Sequence, residues 1–175
     1  MVNQLCIGTA QFGLNYGITN QNGIVNKNEV RKIFKIAKDN KIEFIDTAQT
    51  YNDSERVIGR IIKNNNFFKI ITKLDPKLFE SSKYDLYESL ENSFLNSSQN
   101  LNVKSIDSLL LHDHKNLRKF DNQIIFDWVE TLKERKLINR FGLSIYSPDD
   151  LLDINIKKLN LIQLPFSIYD QRFKE

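Results

Sequence analysis

This chain of 175 residues carries four side chains whose types and positions suit proton transfer: Asp46, Tyr51, Lys73 and His112. Asp46 and Tyr51 stand in the segment IEFIDTAQTYNDSERVIG at 42–59, where a short apolar run ends at the aspartate. Lys73 and His112 follow two later apolar runs. This spacing predicts that the four groups lie at the ends of strands or just beyond them.

Together these side chains suit the protonation of a carbonyl oxygen. A tyrosine has an ordinary pKa of about 10, so the phenol alone is a weak acid at neutral pH. A nearby ammonium group favours the phenolate and lowers that pKa, while a carboxylate keeps the lysine charged and aimed. A histidine can hydrogen-bond the substrate oxygen. The set therefore predicts a general acid and an electrostatic clamp for a carbonyl that becomes an alkoxide.

Each residue also has a structural explanation when it is considered alone. Asp46 can end a strand, Tyr51 can be a surface aromatic residue, and His112 can be a hydrogen-bonded histidine of the core. Their occurrence at the ends of three successive strands favours the chemical interpretation. A Schiff-base role for Lys73, as in an aldolase, is an alternative that needs a desolvated lysine, and the neighbouring Asp46 argues against it.

A metal site is a further alternative, because His112 and His114 flank Asp113. Two histidines and a carboxylate are a common ligand set for transition metals. However, in an extended segment the side chain between them, Asp113, points to the side opposite the two histidines. The sequence offers no evident third or fourth ligand, so we expect no metal.

The elements that must position these groups alternate between strand and helix. Helical spacing of apolar residues predicts a helix that begins near Asn28, three further helices and a short helix after Pro148, whereas the Gly/Asn-rich stretch 12–26 indicates a loop. The three further helices are expected at 54–63, 84–97 and 122–135. Six strands are expected at 2–9, 42–45, 67–72, 105–111, 141–144 and 159–164.

Strands that are apolar on both faces and separated by helices are typical of a parallel sheet covered on both sides. A doubly wound open sheet is one arrangement of this kind. Polar residues, however, follow one strand after another, as at the active-site face of a (β/α)8 barrel. These residues are Thr9, Asp46, Lys73, His112, Ser144 and Gln163. We therefore predict a single α/β domain over 1–175, of the (β/α)8 TIM-barrel type with about six of eight units present.

Composition excludes several classes of protein. The net charge is +3, and basic residues are scattered among acidic ones, so we expect no nucleic-acid partner. The single cysteine, Cys6, excludes an internal disulfide framework and favours a reducing compartment. The N-terminus does not resemble a secretory leader, and no apolar run is long enough to span a membrane. We expect a cytoplasmic protein that does not bind membranes.

The segment FIDTAQTYNDSERVIG resembles the signature of the aldo/keto reductase family, in which Asp-[Thr/Ser]-Ala is followed by Tyr, Glu, an aliphatic residue and Gly. IGTAQFG resembles the first strand of that family. ITKL, LLLHD, GLSIY and IQLPFSIYDQR are similar to its later strands, in the same order. The resemblance thus covers essentially the whole chain.

The resemblance implies a role for each residue of the predicted site. Tyr51 would donate the proton, Lys73 would lower its pKa, Asp46 would pair with Lys73, and His112 would orient the carbonyl. The implied reaction is reversible hydride transfer from NADPH, with NADH as the alternative, to an aldehyde or ketone. The residues implied to lie against the cofactor are Gly8, Thr9, Asp46, Ser144 and Gln163. The chain has no GxGxxG loop, as expected for a family that binds the cofactor on a barrel.

The chain departs from the family pattern in sequence and in length. Ile145 stands where the family usually has Asn after the fifth-strand serine, and Ser167 stands where a related pattern often has Asn. An eight-unit barrel typically needs about 250 residues, so the resemblance is to a C-terminally truncated member. In the family, the last two units bind the adenosine end of the cofactor and its 2′-phosphate.

This difference in length leaves a second functional hypothesis open. The chain would then be an inactive truncated barrel, or one half of a split enzyme that acts as a binding or assembly module. Open sheet edges invite pairing with further strands. Under this hypothesis the partners would be a second copy of the chain or a C-terminal partner chain that completes the barrel. Under the first, the partner is a small-molecule carbonyl substrate.

Overall fold

Six parallel strands form one curled sheet in this computed structural model, which describes residues 5–63, 67–80, 86–119, 122–152 and 154–174. The strands lie side by side in chain order from β1 to β6, and each pairs in parallel with the next. They are β1 (Cys6–Gly8), β2 (Phe44–Asp46), β3 (Lys69–Leu74), β4 (Ile106–Leu111), β5 (Ile138–Ser144) and β6 (Leu161–Gln163).

The helices of the described ranges lie between these strands. They are α1 (Ala10–Gly13), α2 (Lys27–Asp39), α3 (Ser54–Ile61), α4 (Leu86–Leu101), α5 (Asn116–Lys119) and α6 (Asn122–Glu134). Single 3-10 turns occur at Pro76–Glu80, Pro148–Leu151 and Ile156–Lys158. The sequential strand order excludes the doubly wound alternative, in which the order reverses at a switch point. The prediction of six units of an incomplete (β/α)8 barrel is confirmed.

The curl of the sheet brings distant strands together at their carboxyl ends. Neighbouring strands are about 4.8 Å apart, so in a flat sheet β2 and β6 would be separated by roughly 19 Å. The Gln163 side-chain amide nevertheless donates a hydrogen bond to Asp46 Oδ1 over 3.0 Å. The ends of β2 and β6 therefore meet across a concave face.

Buried apolar side chains from strands and helices form the core between the sheet and its helices. The strands contribute residues such as Ile45, Leu109 and Phe141, and α6 contributes Trp128, all essentially inaccessible to solvent. The Trp128 indole donates its N–H to Glu91 on α4 over 2.9 Å, so its polar group is satisfied. This packing holds the strand ends in fixed positions.

Some element boundaries differ from those predicted. Helix α2 is capped by Asn26, whose side chain accepts hydrogen bonds from the backbone amides of Asn28 and Glu29, so the helix begins before Asn28. Helices α1 and α5 have only four residues each, too few to show a helical period. The predicted parts at 2–4 and 84–85 lie outside the described residues. Among the helices in the described ranges, none combines the length and apolar character needed to cross a bilayer.

Glu55 on α3 is a carboxylic acid buried between that helix, β3 and α4. Its carboxyl oxygens accept hydrogen bonds from the hydroxyls of Thr72, over 2.7 Å, and Ser97, over 3.2 Å. Burial nevertheless raises the pKa of this carboxyl above its ordinary value, and the hydrogen bonds only partly offset that effect. The folded protein therefore holds the proton more tightly than the unfolded chain does.

We expect Glu55→Gln to remove one source of pH dependence from stability. Because the folded pKa is raised, the stability that the protonated carboxyl contributes is fully present below the unfolded pKa, and it is lost as the pH rises through the folded pKa. The amide cannot ionise, so the variant should gain about 1.4 kcal/mol at neutral pH for each unit of that shift. Urea unfolding at about pH 5 and about pH 8 measures the difference.

Glu88→Gln is the matched control, because Glu88 is exposed on the neighbouring helix α4. Its unfolding curves should follow those of the unsubstituted protein at both pH values. If Glu55→Gln kept the pH dependence of the unsubstituted protein, the buried carboxyl would not be its source.

Candidate active site

Lys73 and Asp46 form a buried ion pair at the carboxyl ends of β3 and β2. The Lys73 ammonium lies 2.7 Å from Asp46 Oδ1 and donates to the Thr47 carbonyl oxygen over 2.8 Å. The Lys73 side chain is only 2% exposed, and that of Asp46 is 15% exposed. Burial lowers the pKa of Lys73, and the Asp46 carboxylate opposes that shift. The two residues are thus paired as the family resemblance implies.

Tyr51 lies in the loop between β2 and α3, against the same ion pair. The Lys73 ammonium is 5.3 Å from the centroid of the Tyr51 ring. The Tyr51 backbone is held by hydrogen bonds with Ala48 and Ser54. A Cβ at Gly13 would overlap the Tyr51 carbonyl oxygen, so the glycine allows the loop to pack this closely.

The pKa of Tyr51 is raised to about 12, first by burial and then by the Asp46 carboxylate. The net shift is therefore opposite in direction to the lowering by Lys73 that the resemblance implies, because burial and the Asp46 carboxylate dominate it. Lys73 directs its charge at Asp46, while partial burial of the phenol penalises the phenolate. At neutral pH Tyr51 is therefore a neutral phenol.

His112 follows β4 and meets Tyr51 edge to face, with ring centroids 5.9 Å apart. Burial and the Lys73 charge lower the pKa of His112, against the weaker opposite effect of Asp46, Asp75 and Asp113. The imidazole is therefore neutral at physiological pH. Its Nδ1 atom lies 3.1 Å from the Thr50 hydroxyl oxygen.

Five of the predicted site residues line one cavity of about 190 Å³ on the concave face. They are Tyr51, Lys73, His112, Ser144 and Gln163. Ser144 and Gln163 are neighbours in register on β5 and β6. Asp46 reaches the same group of side chains through its hydrogen bonds to Lys73 and Gln163.

Two features leave room and bonding capacity for a ligand amide. Gln163 Oε1 is buried, and within the described ranges no donor reaches it. Gly8 pairs in register with Asp46, and a Cβ placed on Gly8 would meet no atom within 4 Å. A carboxamide beside these residues would supply the missing donor, so the residues present fit a nicotinamide ring.

Thr9 follows β1 and is fully buried. Its side-chain hydroxyl is already hydrogen-bonded within the protein. Its hydroxyl donates to the Asp46 carbonyl oxygen over 2.8 Å, and the Ser54 hydroxyl lies 2.9 Å from the Thr9 hydroxyl. Ser54 also contacts the Thr47 hydroxyl at 3.0 Å. These bonds tie β1, β2 and α3 together under the site, and they leave Thr9 without an exposed group on the cavity.

Gln49 is a positioning residue to which the sequence pattern assigned no role. Its Nε2 atom donates to the Ser93 carbonyl and to Ser97, and its Oε1 atom accepts from the Asp75 amide and the Ser93 hydroxyl. The loop that carries Tyr51 is thereby fastened to α4 and to the loop after β3. The position of Gln49, two residues before Tyr51 in the signature segment, is the signal that could have revealed it.

The two histidines turn to different partners. His112 contacts Thr50, whereas Nε2 of His114 lies 3.4 Å from Asp150. In the ranges that the structure describes, no group of three His, Cys, Asp or Glu side chains is arranged to hold a metal ion.

The sequence profile of the Aldo/keto reductase family matches residues 4–175. Solved structures with a similar fold include a Pseudomonas aeruginosa protein assigned to the aldo-keto reductases, with 22% identity and a TM-score of 0.77. That alignment covers 97% of this chain and 65% of the other. A comparison with curated proteins gave no match.

Two other similar structures are reductases from different bacteria. The aldo-keto reductase AKR11C1 from Bacillus halodurans, in its holo form, is 20% identical over 98% of this chain and 56% of its own, with a TM-score of 0.76. An aldo-keto reductase from Klebsiella pneumoniae in complex with NADPH is 19% identical over 91% of this chain and 53% of its own, with a TM-score of 0.70. This chain therefore spans about half to two thirds of the length of these proteins.

Proposed function

The chain belongs to the aldo/keto reductase family, and we propose that its six βα units carry a centre for the NADPH-dependent reduction of an aldehyde or ketone. The observation that carries the proposal is the convergence of Tyr51, Lys73 and His112 on one cavity beside the unpaired oxygen of Gln163. NADH is the alternative cofactor. The complex of the Klebsiella pneumoniae protein with NADPH supports the first choice.

In the proposed mechanism, Tyr51 donates its phenolic proton to the carbonyl oxygen of the substrate. The raised pKa keeps the phenol protonated until the oxygen develops negative charge. The Lys73 ammonium, aimed by Asp46, stabilises the phenolate left on Tyr51 until solvent returns a proton. The neutral His112 donates a hydrogen bond that orients the carbonyl.

The cofactor site in this proposal is formed by Gly8, Ser144 and Gln163, with Asp46 beside them. When bound, the nicotinamide supplies a hydride to the carbonyl carbon. Gln163 Oε1 would accept a hydrogen bond from the carboxamide, and Gly8 leaves space for the ring. Thr9 supports this site through its bond to the Asp46 backbone. Its hydroxyl would act on the cofactor only indirectly.

NADPH titration of the 175-residue chain tests the proposal. We expect the fluorescence of NADPH to change on binding, with a Kd below the millimolar range, and aldehyde reduction to consume NADPH. Gly8→Val should weaken binding at least about tenfold, because its side chain fills the space beside Asp46. Nothing lies within 4 Å of a Cβ at Gly8, so the variant should keep its thermal stability.

Two results would contradict the proposed cofactor site. A chain that binds no NADPH at millimolar concentrations does not contain the proposed cofactor site. Unchanged affinity in Gly8→Val places the cofactor elsewhere. Loss of stability in Gly8→Val would show instead that the strand cannot tolerate the side chain.

A second candidate function is assembly with further strands. Among the described residues no strand pairs with the outer edge of β1 or of β6. Large apolar side chains are exposed near these edges, including Leu5, Phe166 and Tyr169. We propose as the alternative that a second copy or a C-terminal partner chain pairs with these edges and that the chain alone is inactive.

The solution mass separates the two candidates. A monomeric chain that binds NADPH supports the enzyme, whereas an oligomer that binds none supports the assembly module. For either function we propose a cytoplasmic location, which the single cysteine, Cys6, supports because a reducing compartment suits an unpaired thiol.

A further inference from the structure

Thr50 immediately precedes Tyr51 and contacts the other ring of the site. Its hydroxyl oxygen lies 3.1 Å from Nδ1 of His112, and this is its one hydrogen-bond contact within the described parts of the chain. The two residues are 62 positions apart in sequence, so the contact depends on the fold. Thr50 thus joins the loop after β2 to the residue that follows β4.

The chemistry of a neutral imidazole makes the direction of this hydrogen bond important. Such a ring has one N–H donor and one bare nitrogen acceptor. Burial and the ammonium of Lys73 keep His112 neutral, against the carboxylates of Asp46, Asp75 and Asp113. A carbonyl oxygen can only accept, so a ring that binds it must present N–H towards the cavity.

Only one arrangement satisfies both ends of the ring. If the Thr50 hydroxyl donates to Nδ1, the proton of the ring resides on Nε2, which can then donate to a carbonyl oxygen. In the opposite arrangement Nδ1–H would donate to the Thr50 hydroxyl oxygen. The bare Nε2 would then turn its lone pair to the carbonyl oxygen of the substrate and repel it. Thr50 has no competing acceptor within the described residues, so its hydroxyl hydrogen is available to Nδ1.

We infer that Thr50 is a positioning residue that donates its hydroxyl hydrogen to Nδ1 of His112 and so sets the Nε2–H tautomer for carbonyl binding. This inference rests on the proposed function for its purpose, but the tautomer itself is a property of the free protein. The inference also explains why a residue with a hydroxyl group, Thr50, stands next to Tyr51. The site then has a donor on each of two side chains, Tyr51 and His112.

Nitrogen NMR of the histidine rings tests the tautomer without any cofactor. The chain contains two histidines, so ¹⁵N-histidine labelling gives two ring systems, and His114→Gln assigns them. We expect the His112 ring to show a bare, hydrogen-bonded Nδ1 and a protonated Nε2. In Thr50→Val, which keeps the shape and lacks the hydroxyl, the Nδ1 resonance should move to the position of a nitrogen without a hydrogen bond.

Kinetics test the purpose of the tautomer. Thr50→Val should lower kcat for aldehyde reduction about five- to tenfold, in line with the loss of one hydrogen bond, and should change KM less. Thr50→Ser keeps the hydroxyl and should restore most of kcat. A merely structural role for Thr50 predicts lost stability in both variants and no recovery of the Nδ1 resonance with serine.

Each outcome decides a definite point. Protonated Nδ1 in the unsubstituted protein overturns the inference, as does an unchanged kcat in Thr50→Val. If no variant, including the unsubstituted chain, turns over aldehyde, then the proposed function fails. In that case the Nδ1 resonance alone decides whether Thr50 sets the tautomer.

Discussion

Tyr51→Phe is expected to lower kcat for aldehyde reduction by about a hundred- to ten-thousand-fold, the range typical of losing a general acid. The change removes one oxygen atom and keeps the ring that packs between Lys73 and His112. The Tyr51 hydroxyl is the group that retains its proton at neutral pH, because its pKa is raised to about 12. We expect NADPH affinity and the far-ultraviolet circular dichroism spectrum to stay unchanged.

The control for this variant is Tyr87→Phe, which deletes a phenolic hydroxyl from the exposed surface of α4. Its kcat should equal that of the unsubstituted chain. Initial rates of NADPH consumption at saturating aldehyde measure both variants. If Tyr51→Phe kept its turnover, Tyr51 would not be the proton donor. If Tyr87→Phe were folded but slow, the loss of kcat in Tyr51→Phe would not be specific to the site.

The second large effect is expected in stability, from the ion pair of Asp46 and Lys73. Asp46→Asn leaves the Lys73 ammonium buried without a charged partner, and breaking a buried pair in this way costs about 3–5 kcal/mol. The asparagine oxygen can still accept the bond from Gln163, so the loss reports on charge. Such a cost is a large part of the roughly 5–15 kcal/mol that stabilises a typical domain.

A double substitution separates the charge from the shape of the site. Asp46→Asn with Lys73→Met removes both charges, and we expect it to recover most of the loss, because an apolar replacement of a buried pair is often neutral. Equilibrium unfolding in urea gives the four free energies of the cycle. A double variant no more stable than Asp46→Asn alone would show that the unpaired ammonium is not the cause.

An exposed ion pair provides the comparison. Lys69 and Glu43 lie 2.6 Å apart at the other end of β3, but their side chains are 48% and 38% exposed. Solvent screens such a pair, so Glu43→Gln should cost less than about 1 kcal/mol. The difference between the losses in unfolding free energy caused by Asp46→Asn and by Glu43→Gln measures the effect of burial on an ion pair.

The sequence predicted the order and direction of the strands because each apolar run is bounded by polar residues and separated by a helical pattern. It also predicted which side chains converge, since the carboxyl ends of parallel strands meet at one edge. Asp46, Lys73 and His112 follow directly from that rule. Short elements such as α1 and α5 could not be predicted, because one turn of helix shows no period.

The electrostatics of the site could not be predicted from residue types. The pKa of Tyr51 depends on how deeply the loop buries the phenol and on whether Lys73 is already paired, and neither quantity is visible in the spacing. The hydrogen bonds of Gln49 and Thr50 also depend on contacts with residues far along the chain. Tertiary packing determines these interactions, and the local pattern of residue types carries little information about tertiary packing.

The hydrogen bond between Asp46 and Gln163 joins residues 117 positions apart, whereas Asp46 and Lys73 are 27 positions apart. Within the described sheet β6 pairs only with β5, so three strands separate the backbones that this bond joins. Closing so long a loop before its contacts form is entropically costly, and folds rich in such contacts fold slowly. Because β6 supplies Gln163, a chain in which β6 has frayed would keep the Asp46–Lys73 pair and lose that wall of the cavity.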